Sequence, residues 1–386
     1  MDTLIPDSLL KLRDAASALA MDVLLPAAEA VDADARWPAE AMQALHEERL
    51  TGLTVPKAFG GLGQGLLGLA TITETLGRAC ASTAMCYGMH CVGAAVIAAK
   101  NSAEQGARYL EPIAAGKHLT TLALSESGSG AHFFLPQTSL TATGDTFLLN
   151  GTKQFVTNGG HADSYVVSTV ASQSSSHGDF SCVVLDSDTP DLAWGDAWNG
   201  VGMRGNASRS LTLRNTRVPL RNLLGADGDQ AWYVFEVVAP YFLTAMAGTY
   251  LGVSQAALDI AVAHLRSRRH AHSGQALGDI DLLQHRVGQM WTAVARSRLL
   301  LQHAAVGGDL GRPEALTAIL ACKADAANAA VWVTNEAMTL CGGMAYRENS
   351  TLSRLLRDAR ASHVMSPTTD LLTTWTGRSV LGMPLL

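Results

Sequence analysis

The sequence predicts an α+β fold in which a small β domain is inserted between two helical ones. Three observations carry this. Apolar positions recur at helical spacing from Asp7 to about Ala115. Short β-rich runs then occupy the stretch from Leu119 to about Leu224. Long helical patterns return from Gln230 onward. The resulting division is a helical domain over residues 1–118, a compact β-sandwich or barrel over 119–228, and a helical bundle over 229–386.

In the first domain, Leu9, Leu10 and Leu12, and later Leu69, Ile72 and Leu76, fall at helical spacing, while Pro26, Pro38 and Pro56 punctuate the pattern. The β runs are Leu119 to Leu124, Phe147 to Leu149, Phe155 to Thr157, Tyr165 to Val170, Cys182 to Leu185 and Leu211 to Leu213. Between them, Gly144-Asp145 and Asn150-Gly151 are hairpin-grade turn pairs, which makes the domain mainly antiparallel. The serine-rich stretch Ala171 to Gly178 reads as a mobile loop between strands. In the last domain the helical patterns cover Phe235 to Arg266, Asp281 to Gly307, Pro313 to Cys341 and Asn349 to Val364, with Gly or Pro at the breaks. Pro313, close behind Gly311, suits a helix first turn.

Hydrophobic residues make up 48% of the 386, enough to bury a large core, and the low shares of charged (16%) and aromatic (6%) residues point to long, closely packed helices rather than disorder. The net charge of −6 is mild and no block of like charge occurs, so neither a nucleic acid nor an anionic membrane surface is an expected partner. Cys80, Cys86, Cys91, Cys182, Cys322 and Cys341 form no CxxC pair and sit mostly in apolar runs, as reduced core cysteines do. The segment Met1 to Leu12 lacks the basic-then-apolar pattern of a secretory signal, and no apolar run reaches membrane-spanning length. A soluble cytoplasmic protein is expected.

Several local patterns carry two readings. Gly63, Gly65 and Gly68 have the GxGxxG spacing, but helical segments flank them where a dinucleotide fingerprint needs a βαβ unit, so a glycine-rich connection is the better reading. His270 and His272 lack further ligand-type neighbours, which favours a solvated loop over a zinc site, and no metal is expected. Asn206-Ala207-Ser208 and Asn349-Ser350-Thr351 match the glycosylation triplet, whose machinery a cytosolic chain never meets. Two β-domain segments differ in kind. Leu122-Ala123-Leu124-Ser125-Glu126-Ser127-Gly128-Ser129-Gly130 ends a β run in small residues whose N–H groups can face a flavin ring edge and a phosphate, although alone a surface turn is the commoner reading. Gly151-Thr152-Lys153-Gln154-Phe155-Val156-Thr157-Asn158-Gly159-Gly160 sets an aromatic ring and a hydroxyl at alternate strand positions, on one face.

Together these segments closely resemble the two middle signatures of the acyl-CoA dehydrogenase family, roughly T-E-P-x-A-G-S-D and K-x-W-I-T-N-G. The resemblance runs over essentially the whole chain, through Gly202-Met203-Arg204-Gly205, Val218-Pro219, Gly252-Val253-Ser254-Gln255, Cys341-Gly342-Gly343 and Arg357-Asp358-Ala359-Arg360. It implies the family fold, with a four-helix bundle as the last domain, and FAD as cofactor. It further implies that Leu122, Leu124 and Ser125 line the flavin, with Ser125 bonded to the ring and Gly130 toward the substrate and phosphate side. Phe155 would pack on the flavin and Thr157 would set its hydroxyl near N5. Arg269 would reach the FAD pyrophosphate of a neighbouring subunit, although by itself it reads equally as a solvated charge beside Arg266 and Arg268. Thr339 and Gly343 would meet the adenosine half of that shared FAD, and Thr368 would contact the cofactor after the last helix. Such sharing implies a homodimer or homotetramer.

Three departures from the family pattern bear on chemistry. Ala131 and His132 replace the serine and aspartate of the first signature, and His272 and Ser273 replace the phenylalanine and glycine after the arginine. Ser366 and Phe242 occupy the two positions at which family dehydrogenases carry the glutamate that takes the substrate α-proton, and neither can act as that base. Asp370, four residues beyond Ser366, is the nearest carboxylate in that segment, with a family counterpart that is more often a cofactor contact. His90 is the other catalytic candidate, on a helix that in this family packs beside the substrate cavity and from which related flavin monooxygenases draw a histidine. The competing role for His90 is a satisfied core residue. The resemblance therefore implies an FAD-dependent oxidoreductase with three readings: desaturation of an acyl thioester by a non-standard base, oxygen chemistry as a monooxygenase or oxidase, or a flavin-binding relative without the dehydrogenation. The acyl carrier and the electron acceptor stay open.

Overall fold

The computed structural model describes residues 5–130, 132–173, 180–229 and 232–385. Among them the first α-helices are α1 (Asp7–Leu19), α2 (Leu25–Ala33), α3 (Ala39–Glu47), α4 (Leu66–Ala79), α5 (Ala81–Ala99) and the short α6 (Ala103–Gln105) and α7 (Glu111–Ala114). The strands follow: β1 (Thr120–Ala123), β2 (Ser139–Thr143), β3 (Thr146–Val156), β4 (Ser164–Thr169), β5 (Ser181–Asp186), β6 (Ala193–Trp194), β7 (Arg209–Pro219) and β8 (Leu223–Leu224). The chain closes with α8 (Ala239–Ser267), α9 (Asp281–Asp309), α10 (Ala315–Cys341), α11 (Thr351–Val364) and α12 (Thr369–Val380).

Residues Ala81 to Ile97 of α5 are all buried, so this helix has no polar stripe and runs through the middle of the fold. It packs on α4, α8 and β1, and so joins all three domains. The crossing of α4 and α8 is close because both helices present glycine: a Cβ on Gly252 would fall 2.3 Å from the Glu74 carbonyl oxygen, and one on Gly77 would fall 2.5 Å from that of Thr249. That contact is the physical reason for the glycine opening Gly252-Val253-Ser254-Gln255. In the last domain α8, α9, α10 and α11 pack against one another as a bundle.

The β domain is two four-stranded sheets, ordered β1-β4-β5-β8 and β2-β3-β7-β6. Apart from the parallel β1–β4 pair the ladders are antiparallel. Gly144, at φ +62°, turns the β2–β3 hairpin as expected. Asn150-Gly151 does not turn. Strand β3 runs through it with a register shift against β7 between Leu149 and Gly151, so the two runs read separately from the sequence are one bulged strand. Gly151 is demanded by packing, since a Cβ there would lie 2.4 Å from the Thr138 hydroxyl oxygen. Residues 174–179 of the serine-rich stretch lie outside the described residues.

Other expectations also change. Helix α10 starts at Ala315 behind Glu314, so Pro313 precedes the helix rather than sitting in its first turn. Helix α12, unread from the sequence, begins where the Thr368 hydroxyl accepts the Leu371 N–H. Gly65 immediately precedes α4 and Gly68 lies inside it, with no strand ahead, which excludes a Rossmann loop. Contrary to the sequence reading, Ala81–Ala99, Tyr233–Ser267 and Ala315–Met344 are long and apolar enough to cross a membrane, but 94%, 78% and 56% of their most apolar windows are buried inside the protein. Core packing accounts for most of that hydrophobicity.

Candidate functional site

The two signature segments meet. The Gln154 N–H donates to the Ser125 carbonyl at 2.7 Å, and the Thr121 hydroxyl donates to the Thr157 carbonyl at 3.0 Å. Leu122 and Leu124 are buried beneath, and Ser125 is half-buried at the rim. Phe155 and Thr157 do not share a strand face as the alternation implies. Phe155 sits at φ +55° in a second register shift of β3, which throws its ring outward, 64% exposed and edge-on to Trp198. Thr157, beyond the strand end, is buried with its hydroxyl 3.3 Å from that of Ser208. Gly130, at φ +54°, has open space where a Cβ would stand. The outward Phe155 ring, the half-buried Ser125 and the open Gly130 turn have the chemistry to fit an isoalloxazine ring and a phosphate, while the Thr157 hydroxyl is buried beside that of Ser208.

What joins these segments is an ion pair that the sequence reading assigned no role. Lys153 is fully buried in β3, and its ammonium lies 2.5 Å from a Glu126 carboxylate oxygen while donating to the Ser168 hydroxyl at 2.9 Å and the Leu124 carbonyl at 3.4 Å. Glu126 also accepts the Gln137 N–H at 2.8 Å, the Thr138 N–H at 3.1 Å and the Thr138 hydroxyl at 2.7 Å. Burial pushes Glu126 upward, but Lys153 and these donors hold it below its usual value. Burial lowers Lys153 to about 8, with Glu126 opposing the fall, so both carry charge at neutral pH. A lone lysine inside a β run was the available signal.

A second unassigned cation holds the turn after α11. Lys323, fully buried on α10, donates to the carbonyls of Ser362 at 2.8 Å, Met365 at 3.2 Å and Pro367 at 3.0 Å. These acceptors bracket Ser366, which is half-buried. Burial lowers Lys323 to about 7. Thr368 caps α12, and Asp370 lies in the first turn of that helix, exposed, where the helix N-terminus favours an anion. Phe242 is half-buried on α8 against the core. The segment after Gly130 is anchored to the same region: Phe134 packs on Phe235 and on Trp375 of α12, with ring centroids 6.2 and 6.0 Å apart.

His90 takes the core role. It is fully buried on α5, its Nε2 2.9 Å from the Thr51 carbonyl and its Nδ1 3.0 Å from the Thr120 N–H, an arrangement that suits one neutral tautomer and occupies both ring nitrogens. As a general acid or base it has no free nitrogen. Burial lowers it to about 3, with the Thr51 carbonyl opposing. The folded value lies below the unfolded one of 6.5, so the unfolded chain takes the proton first and stability is lost as pH falls from 6.5 toward 3, by up to about 1.4 kcal/mol per pH unit. His90→Gln keeps a donor for Thr51 and an acceptor for Thr120. Denaturant unfolding across that range should show a shallower acid loss in the variant; an unchanged slope would refute the assignment.

Arg269, Thr339 and Gly343 are exposed, and the Arg269 guanidinium donates to the nearby Gly274 carbonyl at 3.1 Å. Thr339 lies sixteen residues along α10 from Lys323, about 24 Å at helical rise, so it stands far from its own chain's Ser366 turn. His270 and His272 lie in the loop after α8, with rings 5.3 Å apart.

Comparison with known proteins agrees with this architecture. Residues 6–117 match the acyl-CoA dehydrogenase N-terminal domain, 121–216 the middle domain and 242–381 the C-terminal domain. Cyclohex-1-ene-1-carbonyl-CoA dehydrogenase of Geobacter metallireducens is 32% identical over 361 residues, covering 93% of this chain and 94% of its own. Acryloyl-CoA reductase (NADH) of Anaerotignum propionicum is 28% identical, covering 90% and 88%. The solved butyryl-CoA dehydrogenase of Megasphaera elsdenii superposes with a TM-score of 0.92 at 25% identity, covering 99% of this chain and all of that one. With its three domains in order, its signature segments in contact and a relative of this similarity along nearly its full length, the chain belongs to the acyl-CoA dehydrogenase family.

Proposed function

We propose that the protein is an FAD-dependent oxidoreductase that desaturates an acyl thioester at the α,β bond with a base other than the family glutamate. The observation that carries the reading is the contact of the two signature segments around Ser125, Phe155 and Thr157, backed by the buried Lys153–Glu126 pair. Bound FAD would supply the hydride acceptor for the β-carbon. Leu122, Leu124, Phe155 and Thr157 hold and orient it. Gly130 leaves room beside it, and Thr368 reaches it from the C-terminal side. The α-proton must go to a group near the Ser366 turn. Asp370, on the helix that turn leads into, is the carboxylate we assign to that task.

Two further proposals attend this one. Arg269, Thr339 and Gly343 serve the FAD of a neighbouring copy, which the distance of Thr339 along α10 from the Ser366 turn supports, and the protein is a cytoplasmic homodimer or homotetramer. The serine and phenylalanine at the two usual base positions favour an oxygen-using oxidase or monooxygenase as the second reading. Anaerobic mixing with saturated acyl-CoA thioesters is expected to bleach the flavin, and Asp370→Asn is expected to slow that step about a hundredfold or more. Bleaching that survives the substitution unchanged removes Asp370 from the reaction. No bleaching at all, with substrate-dependent oxygen uptake in air, would replace desaturation by the second reading.

A further inference from the structure

One ring joins the segment after Gly130 to both helical elements that carry the usual base positions. Phe134 is buried, and its ring meets four others. His132 lies at 5.6 Å and Phe133 at 5.8 Å between centroids, both edge-on, while Phe235 at 6.2 Å and Trp375 at 6.0 Å are tilted. These spacings all fall where aromatic pairs attract. Phe235 belongs to the turn Trp232–Val238, which runs into α8 and toward Phe242. Trp375 is on α12, about 7.5 Å along the helix from Asp370. Three of the chain's eight phenylalanines gather here, in a sequence with few aromatics, so the cluster is no by-product of composition.

The hub has a firm footing in the β domain. Glu126 accepts the N–H groups of Gln137 at 2.8 Å and Thr138 at 3.1 Å, so the chain leaving Phe134 is tied back to the flavin cradle of Ser125, Phe155 and Gly130. The Leu135 N–H donates to the His132 carbonyl at 2.9 Å and turns the main chain around Phe134. Helix α12, by contrast, packs on α10 and α11 of its own domain. Its buried face carries Thr369, Leu372 and Trp375, and Trp375 reaches from that face across to Phe134. A ring anchored to the β domain is thus wedged between two elements of the last domain. In a close-packed interior it cannot shift without moving both.

We propose that Phe134 is a positioning residue: its ring sets the distance between the flavin cradle and α12, and so places Asp370 and Thr368 on the substrate side. The inference rests on the reading of Asp370 as the proton acceptor in thioester desaturation. His132, where the family carries aspartate, belongs to the same hub, so the departure from the signature and the contact with α12 arise in one segment.

Peptide-resolved hydrogen exchange and anaerobic reduction by butyryl-CoA, both on the flavin-loaded protein, test it. Phe134→Ala is expected to keep its flavin, since Lys153 and Glu126 still hold the cradle, and to exchange faster over residues 366–376 while 119–124 stay as in the parent. Flavin reduction at saturating thioester should slow about tenfold or more, with the half-saturating concentration little changed. Phe134→Leu, which refills the space, should recover most of the rate. If Phe134→Ala does not fold, Trp375→Leu removes the other side of the contact and must give the same pattern. Unchanged exchange over 366–376 overturns the proposal. So does faster exchange with an unaltered rate, or a loss confined to the half-saturating concentration. A parent that butyryl-CoA fails to bleach counts against desaturation itself, and the exchange result then decides alone whether Phe134 holds α12.

Discussion

Lys153→Met is expected to yield a protein that is colourless and about 3–5 kcal/mol less stable than the parent, because removing one partner of a buried ion pair leaves the other charged and without its counterion. Glu126 would keep its donors from Gln137 and Thr138 but lose the ammonium at 2.5 Å. The lysine also ties the Leu124 carbonyl to β3, so its loss frees the segment bearing Ser125 from the segment bearing Phe155. Stability and cofactor should therefore fail together. Denaturant unfolding and flavin absorbance after gel filtration measure the two, and a double-mutant cycle with Glu126→Gln isolates the pair. Full flavin occupancy in Lys153→Met would show that the pair is structural ballast and does not position the cradle.

Lys323→Met should separate the same two properties. The ammonium touches no residue of the cradle signatures, so flavin content should stay near that of the parent. The turn through Ser366 loses the donor to Ser362, Met365 and Pro367, and a displacement of about 1 Å in groups that meet a substrate is worth roughly a hundredfold in rate. The expected outcome is a fall of that order in kcat/KM for thioester-driven flavin reduction. A pH profile adds a readout that general loosening would not give. With Lys323 lowered to about 7 by burial, deprotonation above that pH leaves an amine with two hydrogens for three carbonyls, and the parent's rate should decline there in a step the variant lacks. Equal profiles in parent and variant would sink the positioning role.

Domain order was legible because periodicity changes twice, at about Leu119 and Gln230, and local pattern decides element type. The failures are local signals overruled by distant contacts. Asn150-Gly151 has the composition of a hairpin, yet Thr138 and β7 draw it into a continuous strand. Phe155 and Thr157 alternate in number, but the positive φ at Phe155 breaks the alternation. That the two signature segments belong together was legible from their resemblance, whereas Glu126, Lys153 and Lys323 were passed over. Lys153 and Glu126 are 27 residues apart and the carbonyls that Lys323 holds are 39 or more residues from it, and no spacing rule reports a contact of that range. His90 carried both readings at the outset. Only the Thr51 and Thr120 main-chain groups, one from the first domain and one from the second, decide between them.

The glycine contact between α4 and α8 bears on how such a protein can change occupation. Gly252 is required by the backbone of Glu74, and that requirement is blind to whatever sits in the pocket. A descendant that abandoned dehydrogenation would have to keep this glycine to remain folded, while nothing in the packing would oblige it to keep a glutamate at position 366. Positions of the first sort record descent and positions of the second record livelihood. In this chain the two kinds differ: Gly252 stands against the Glu74 backbone, while position 366 carries a serine.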